Sequence, residues 1–166
     1  DSRGQLSKKE RPEWSGAVFT KGSILVYEQP KLPEVLAHEI AHLIFMQFFG
    51  ETRPDLLWLN EGLAMQEESR AKTNKGVDSY KNALPFLKGS YIALGELTQT
   101  PTALDHQERE ARIFYVESWL LVKFLMEQGG QVGFYEFLQR LKAKKNINQA
   151  IAEGFPGKWN NLAELE

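Results

Sequence analysis

Two of the three histidines in this 166-residue chain, His38 and His42, stand four residues apart, with Glu39 beside the first. They lie in Leu36-Ala37-His38-Glu39-Ile40-Ala41-His42-Leu43-Ile44-Phe45, an apolar run with helical spacing. On a helix, positions i and i+4 lie one above the other on the same face, so both imidazoles can reach one ion. Glu39 is turned about 100° from His38 around the axis, so it can flank that ion without binding it. In this arrangement the histidines hold zinc, and the glutamate serves as general base toward a metal-activated water.

A catalytic zinc takes three protein ligands and keeps one position open. The chain has no cysteine, so the third ligand must be His, Asp or Glu. Glu61 is the candidate, in Asn60-Glu61-Gly62-Leu63-Ala64, with eighteen residues between it and His42. That interval lets one helix end, a loop turn and a second helix pack back across the first. Gly62 would let the two backbones approach, and Leu59 and Leu63 would give the second helix an apolar side.

H-E-x-x-H, eighteen residues, then N-E-G-x-A resembles the gluzincin metallopeptidases, zinc enzymes named for a glutamate third ligand. The close spacing of Trp58-Leu59-Asn60-Glu61-Gly62-Leu63-Ala64 is most similar to the small peptidase MA-like domains of that group. The resemblance covers residues 36–68 directly and 111–153 more loosely. It implies one zinc ion held by His38, His42 and Glu61, Glu39 as general base and proton shuttle, and Asn60 in a supporting role behind the ligands. The implied fold is α+β and predominantly helical, a thermolysin-like catalytic domain with a short N-terminal β-hairpin or small sheet. The implied activity is zinc-dependent hydrolysis of a peptide or protein substrate.

Water attack on a carbonyl also calls for a group near the developing oxyanion. Tyr115, in Ile113-Phe114-Tyr115-Val116-Glu117, stands where aminopeptidase-like gluzincins carry such a tyrosine. His106 sits in a polar stretch and reads as a solvated loop residue. Two departures from the family pattern stand out. Gluzincin aminopeptidases carry a G-x-M-E-N strand ahead of the zinc helix, whose acidic residue anchors a substrate amine. The comparable Gly16-Ala17-Val18-Phe19-Thr20 has none, although Gly16, Ala17 and Val18 remain candidates to line a cleft and bond an extended substrate. Thermolysin-like enzymes often carry an Asp four residues after the ligand Glu to orient one histidine. Here that position is Met65, which leaves Glu67, Glu68 or a backbone carbonyl for the task.

The elements that would position these residues follow from periodicity. Residues 1–13 read as a loose lead-in to one domain spanning 1–166. Trp14 to Glu28 is rich in β-branched and aromatic residues and reads as one or two short strands. Helices are expected from Pro33 to Phe49, where Gly50 is a stop signal, and from Leu57 to about Ala71. Further helices are expected over Val77 to Leu87, Gln107 to Gln128, Val132 to Lys144 and Asn146 to Glu153, with Gly129-Gly130 dividing the second of these from the third. The first helix is apolar nearly all round, which predicts burial on most sides.

Composition excludes some classes. Twenty basic against 22 acidic residues give a net charge of −2, which offers no attraction to nucleic acid or an anionic membrane. No apolar run approaches the ~20 residues of a membrane span. The sequence opens at Asp1, not Met, so removal of a leader is compatible with it. With the resemblance, this favours an extracytoplasmic setting, periplasmic or secreted, and allows other domains in a longer chain. Two other readings share the motif: a catalytically silent metal-binding or interaction domain, and a zinc hydrolase of a non-peptide amide.

Overall fold

Pro33 lies in the first turn of helix α1, Leu32–Phe49, where a missing N–H costs nothing. Gly50 ends the helix in the left-handed conformation at φ 74°, its N–H bonded to the Met46 carbonyl. The computed structural model describes residues 17–20, 23–26, 31–72, 85, 87, 89–99 and 108–165. A 3₁₀ turn at Pro54–Leu56 leads into α2, Leu57–Ala71. A single helical turn, α3, spans Leu94–Leu97. The long α4, Glu108–Lys142, is broken at Gly130, and α5 follows at Ile147–Gly154. Asn146 caps α5 by accepting the Gln149 N–H. A last 3₁₀ turn covers Leu162–Leu165.

Helix α2 is the centre of the assembly. It packs against α1 on one side and α4 on the other, and α4 in turn carries α5. Trp58, Leu59, Phe114, Val122, Leu125, Phe137, Ile151 and Phe155 form the fully buried heart of the core. Each contributes roughly 1.5–3 kcal/mol of burial or more for the largest rings. Gly130 has φ 76° and ψ 163°, a region open essentially to glycine alone. That single residue lets the chain redirect between the two arms of α4.

The α+β expectation is corrected to all-α. Every buried core side chain in the described residues belongs to a helix or to a turn adjoining one. The strands Ala17–Thr20 (β1) and Ser23–Val26 (β2) pair antiparallel, Ala17 opposite Val26 and Thr20 opposite Ser23. They pair only with each other and lie against α1. Two four-residue strands are too little to form a layer of their own. No third strand joins them among the described residues, and the core described there is built by helix packing.

Two other expectations change. Helix α1 buries only Phe45 and Phe49, whereas Ile40, Ile44 and Met46 are 45%, 61% and 44% exposed. Its apolar surface is wider than the side that α2 can cover. The close approach at Gly62 is to α4, not α1: a Cβ there would lie 2.4 Å from the Ser118 carbonyl oxygen and 2.6 Å from Val122 Cγ2. The helices over 32–49, 57–71 and 147–154 agree with expectation, as does the break at the double glycine. The lead-in 1–13, Gly16 and His106 lie outside the described residues, as does the helix expected over Val77 to Leu87 apart from residues 85 and 87. Among the described residues no helix is long and apolar enough to cross a membrane.

The connector between α1 and α2 is held by Arg53. Its guanidinium donates to both Asp55 oxygens, at 2.8 Å and 2.6 Å, and to the Leu141 carbonyl at 3.0 Å. Hydrogen bonding to Arg53 holds the Asp55 carboxyl below its ordinary 3.8. Stability from this pair is therefore present above 3.8 and lost as pH falls through the lower folded value. Asp55 is 59% exposed, so solvent screening keeps the contribution to about 0.5 kcal/mol. Urea unfolding is expected to show Asp55→Asn destabilised by that amount at pH 7, with the gap to wild type closing in acid. In the same assay Gly62→Ala should lose about 1–3 kcal/mol, because backbone and a β-branched side chain block the new methyl. Gly95→Ala, with nothing within 4 Å of its added Cβ, should lose nothing.

Candidate metal centre

Helix α1 brings His38 and His42 to one face, their rings edge to face with centroids 4.8 Å apart. Helix α2 runs back across that face and presents Glu61. His38 Nε2 is 3.9 Å and His42 Nε2 3.8 Å from the same oxygen, Glu61 Oε2. One ligating atom from each residue falls within a 4.8 Å cluster, so the three could hold a metal ion. Zinc bonds of about 2.0–2.2 Å in a tetrahedron separate ligand atoms by about 3.4 Å. The two separations from Glu61 are within about half an ångström of that, and no pair of the three ligating atoms exceeds 4.8 Å.

The outer nitrogens are also engaged. His42 Nδ1–H donates to Asn60 Oδ1 at 2.9 Å, and its other ring nitrogen, Nε2, faces Glu61. Asn60 is therefore hydrogen-bonded to the outer nitrogen of His42. His38 Nδ1 lies 3.3 Å from Glu68 Oε2, within ion-pair range but off the line of a well-formed hydrogen bond. Of the alternatives to Met65, Glu67 turns outward to Arg70, at 2.6 Å, and Glu68 faces the site.

Burial shapes the electrostatics. It pushes the Glu61 carboxyl up, against the pull of His42 and His38, and Glu39 adds to the rise. A carboxylate in this state is one that a cation would relieve. For His38, burial acts downward, but Glu68, Glu61 and Glu39 together outweigh it and the imidazole lies above its ordinary 6.5. Contact with His38 holds Glu68 below the usual carboxylate range. Glu39 is therefore close enough to act on both His38 and Glu61, as its place on α1 requires. Tyr115, on α4, is pushed up to about 12 by burial and then by the Glu61 charge, so it is a protonated phenol at neutral pH. Its ring packs edge-on against Phe114 at 5.8 Å. One turn on, the Trp119 indole N–H donates to Gln66 Oε1 at 2.8 Å and ties this part of α4 to α2.

The His38 and His42 side chains are 23% and 24% exposed and Glu61 is 14% exposed, so the cluster opens to solvent on one side. Ala17 and Val18 lie in β1, which runs beside α1. Comparison of the chain with protein-family models, curated proteins and solved structures returned no match.

The residue that spacing alone did not single out is Glu68. Its signal is the seven-residue interval from Glu61, which returns to within about 20° of the same helix face. Ala64, fully buried, falls on that face between Asn60 and Glu68. A small side chain there lets α1 lie close enough for the carboxylates to reach the imidazoles. Ala64→Leu is expected to cost about 1–3 kcal/mol in urea unfolding, whereas the neighbouring Met65→Leu should change stability by less than about 1.5 kcal/mol.

Proposed function

We propose that the chain is a zinc-dependent peptidase of the gluzincin type. The observation that carries this reading is the convergence of His38 Nε2 and His42 Nε2 on one oxygen of Glu61, with Glu39 beside them. His38, His42 and Glu61 would hold one zinc ion, and the open side of the cluster would admit a peptide or protein substrate. When bound, zinc acidifies a water molecule and polarises a carbonyl.

The chain's own residues supply the rest. Glu39 takes a proton from the attacking water and passes it to the departing amine, acting in turn as base and acid. Asn60 accepts from His42 Nδ1–H and so orients the ring with Nε2 toward the cluster. Tyr115, kept protonated by burial and by Glu61, donates a hydrogen bond to the scissile carbonyl oxygen as negative charge grows there. Burial around Glu61 strengthens each of these interactions relative to water.

The test is metal analysis together with cleavage of a peptide library by wild type and Glu39→Gln. Wild type is expected to carry one zinc per chain and to cleave. Glu39→Gln should keep the zinc and lose about 10²–10⁴-fold in rate. Full activity in zinc-loaded Glu39→Gln would sink the mechanism. Stoichiometric zinc with no cleavage of any peptide would point instead to a silent metal-binding domain.

A further inference from the structure

His42 has a neutral acceptor, Asn60, holding its outer nitrogen. His38 needs an equivalent, because an imidazole free to rotate or to change tautomer binds an ion poorly. Its Nδ1 is buried, and Glu68 Oε2 faces it at 3.3 Å. The other oxygen of Glu68 faces Lys72 Nζ at 3.7 Å, one turn further along α2. The two oxygens are thus divided between the metal helix and the surface. Position 65, where an acidic residue one turn after Glu61 would sit, is apolar Met65. Four residues along a helix turn a side chain about 40° from the starting direction, and seven turn it only about 20°. The two-turn interval therefore keeps Glu68 better aligned with the α1 face than Met65 is.

We propose that Glu68 is the positioning residue for His38, holding its proton on Nδ1 so that Nε2 faces the cluster, and that Lys72 steadies Glu68 from the protein surface. This rests on the zinc-site reading above. It makes the support of the two histidines unequal. His42 leans on a neutral amide and His38 on a carboxylate, which raises the electron density that His38 offers a cation. The Lys72 amine, at the end of α2, is 43% exposed, so it steadies the carboxylate without neutralising it as a buried cation would.

Two readouts on the whole chain test it. Zinc affinity is measured by competition with a chelator for wild type, Glu68→Ala, Glu68→Gln and Glu67→Ala. The His38 tautomer is read from imidazole ¹⁵N resonances of the zinc-free protein at pH 8. Glu68→Ala should bind zinc about 10–100-fold more weakly and lose the single Nδ1–H tautomer. Glu68→Gln should recover part of both, since its amide oxygen still accepts, and Glu67→Ala should match wild type. If Glu68→Ala perturbs folding, Glu68→Gln against Glu67→Ala makes the comparison. Unchanged affinity and an unchanged tautomer on removing Glu68 overturn the proposal. A wild type that takes up no zinc, while His38 still loses its tautomer in Glu68→Ala, overturns the metal reading and leaves the positioning role standing.

Discussion

Helix α2 must lie close to two neighbours at once, and the rest of the molecule depends on it. On the α4 side the contact is through Gly62, whose missing side chain leaves room for the Ser118 carbonyl and Val122. On the α1 side Asn60, Glu61 and Glu68 reach the two histidines, and the fully buried Ala64 falls on the same helix face. These small residues are separated by about 200° around the axis, so one helix can be clamped from both sides. The apolar side chains at Trp58 and Leu59 then fill the space that remains. Packing of this kind has little tolerance, because protein interiors are as dense as organic crystals.

The clamp places unlike groups where water would otherwise separate them. Three carboxylates, Glu39, Glu61 and Glu68, surround the two imidazoles in a partly closed space. Burial is what chiefly raises the Glu61 carboxyl, and the Glu39 charge adds to it. Sites that hold this arrangement are natural places for a divalent cation. Tyr115 sits close enough to feel the same field from the third helix layer, and the Trp119–Gln66 bond keeps that part of α4 in register with α2. The groups described at the centre thus come from three helices.

The site residues were legible because helical periodicity converts spacing into direction. His38 and His42 four apart, and Glu61 after an interval long enough for a turn, can be read as one cluster without coordinates. Asn60 is read from the resemblance carried by the N-E-G-x-A run and not from periodicity. Periodicity reaches Glu68 with less force, since Glu67 and Glu68 are adjacent and which of them turns inward depends on the crossing of α1 and α2. The fold class was misjudged for a related reason. Strand-forming residues between Trp14 and Glu28 suggest a sheet, but a sheet layer requires partners, and the described structure supplies none beyond the two short strands. The exposure of Ile40, Ile44 and Met46 was also hidden, because a wide apolar surface says what could be buried and not how much neighbouring surface exists to bury it.

The sequence by itself determined the local elements: where α1 and α2 begin and end, the break at Gly130, and the face on which each chemically capable residue stands. These follow from short-range rules, namely proline and glycine conformations and the 3.6-residue turn. Only the tertiary structure decided which faces meet. It turned Gly62 toward α4, chose Glu68 over Glu67, and brought Tyr115 within the field of Glu61. Those outcomes depend on contacts between residues far apart in the chain, where side-chain volume and helix crossing set distances that no local pattern encodes.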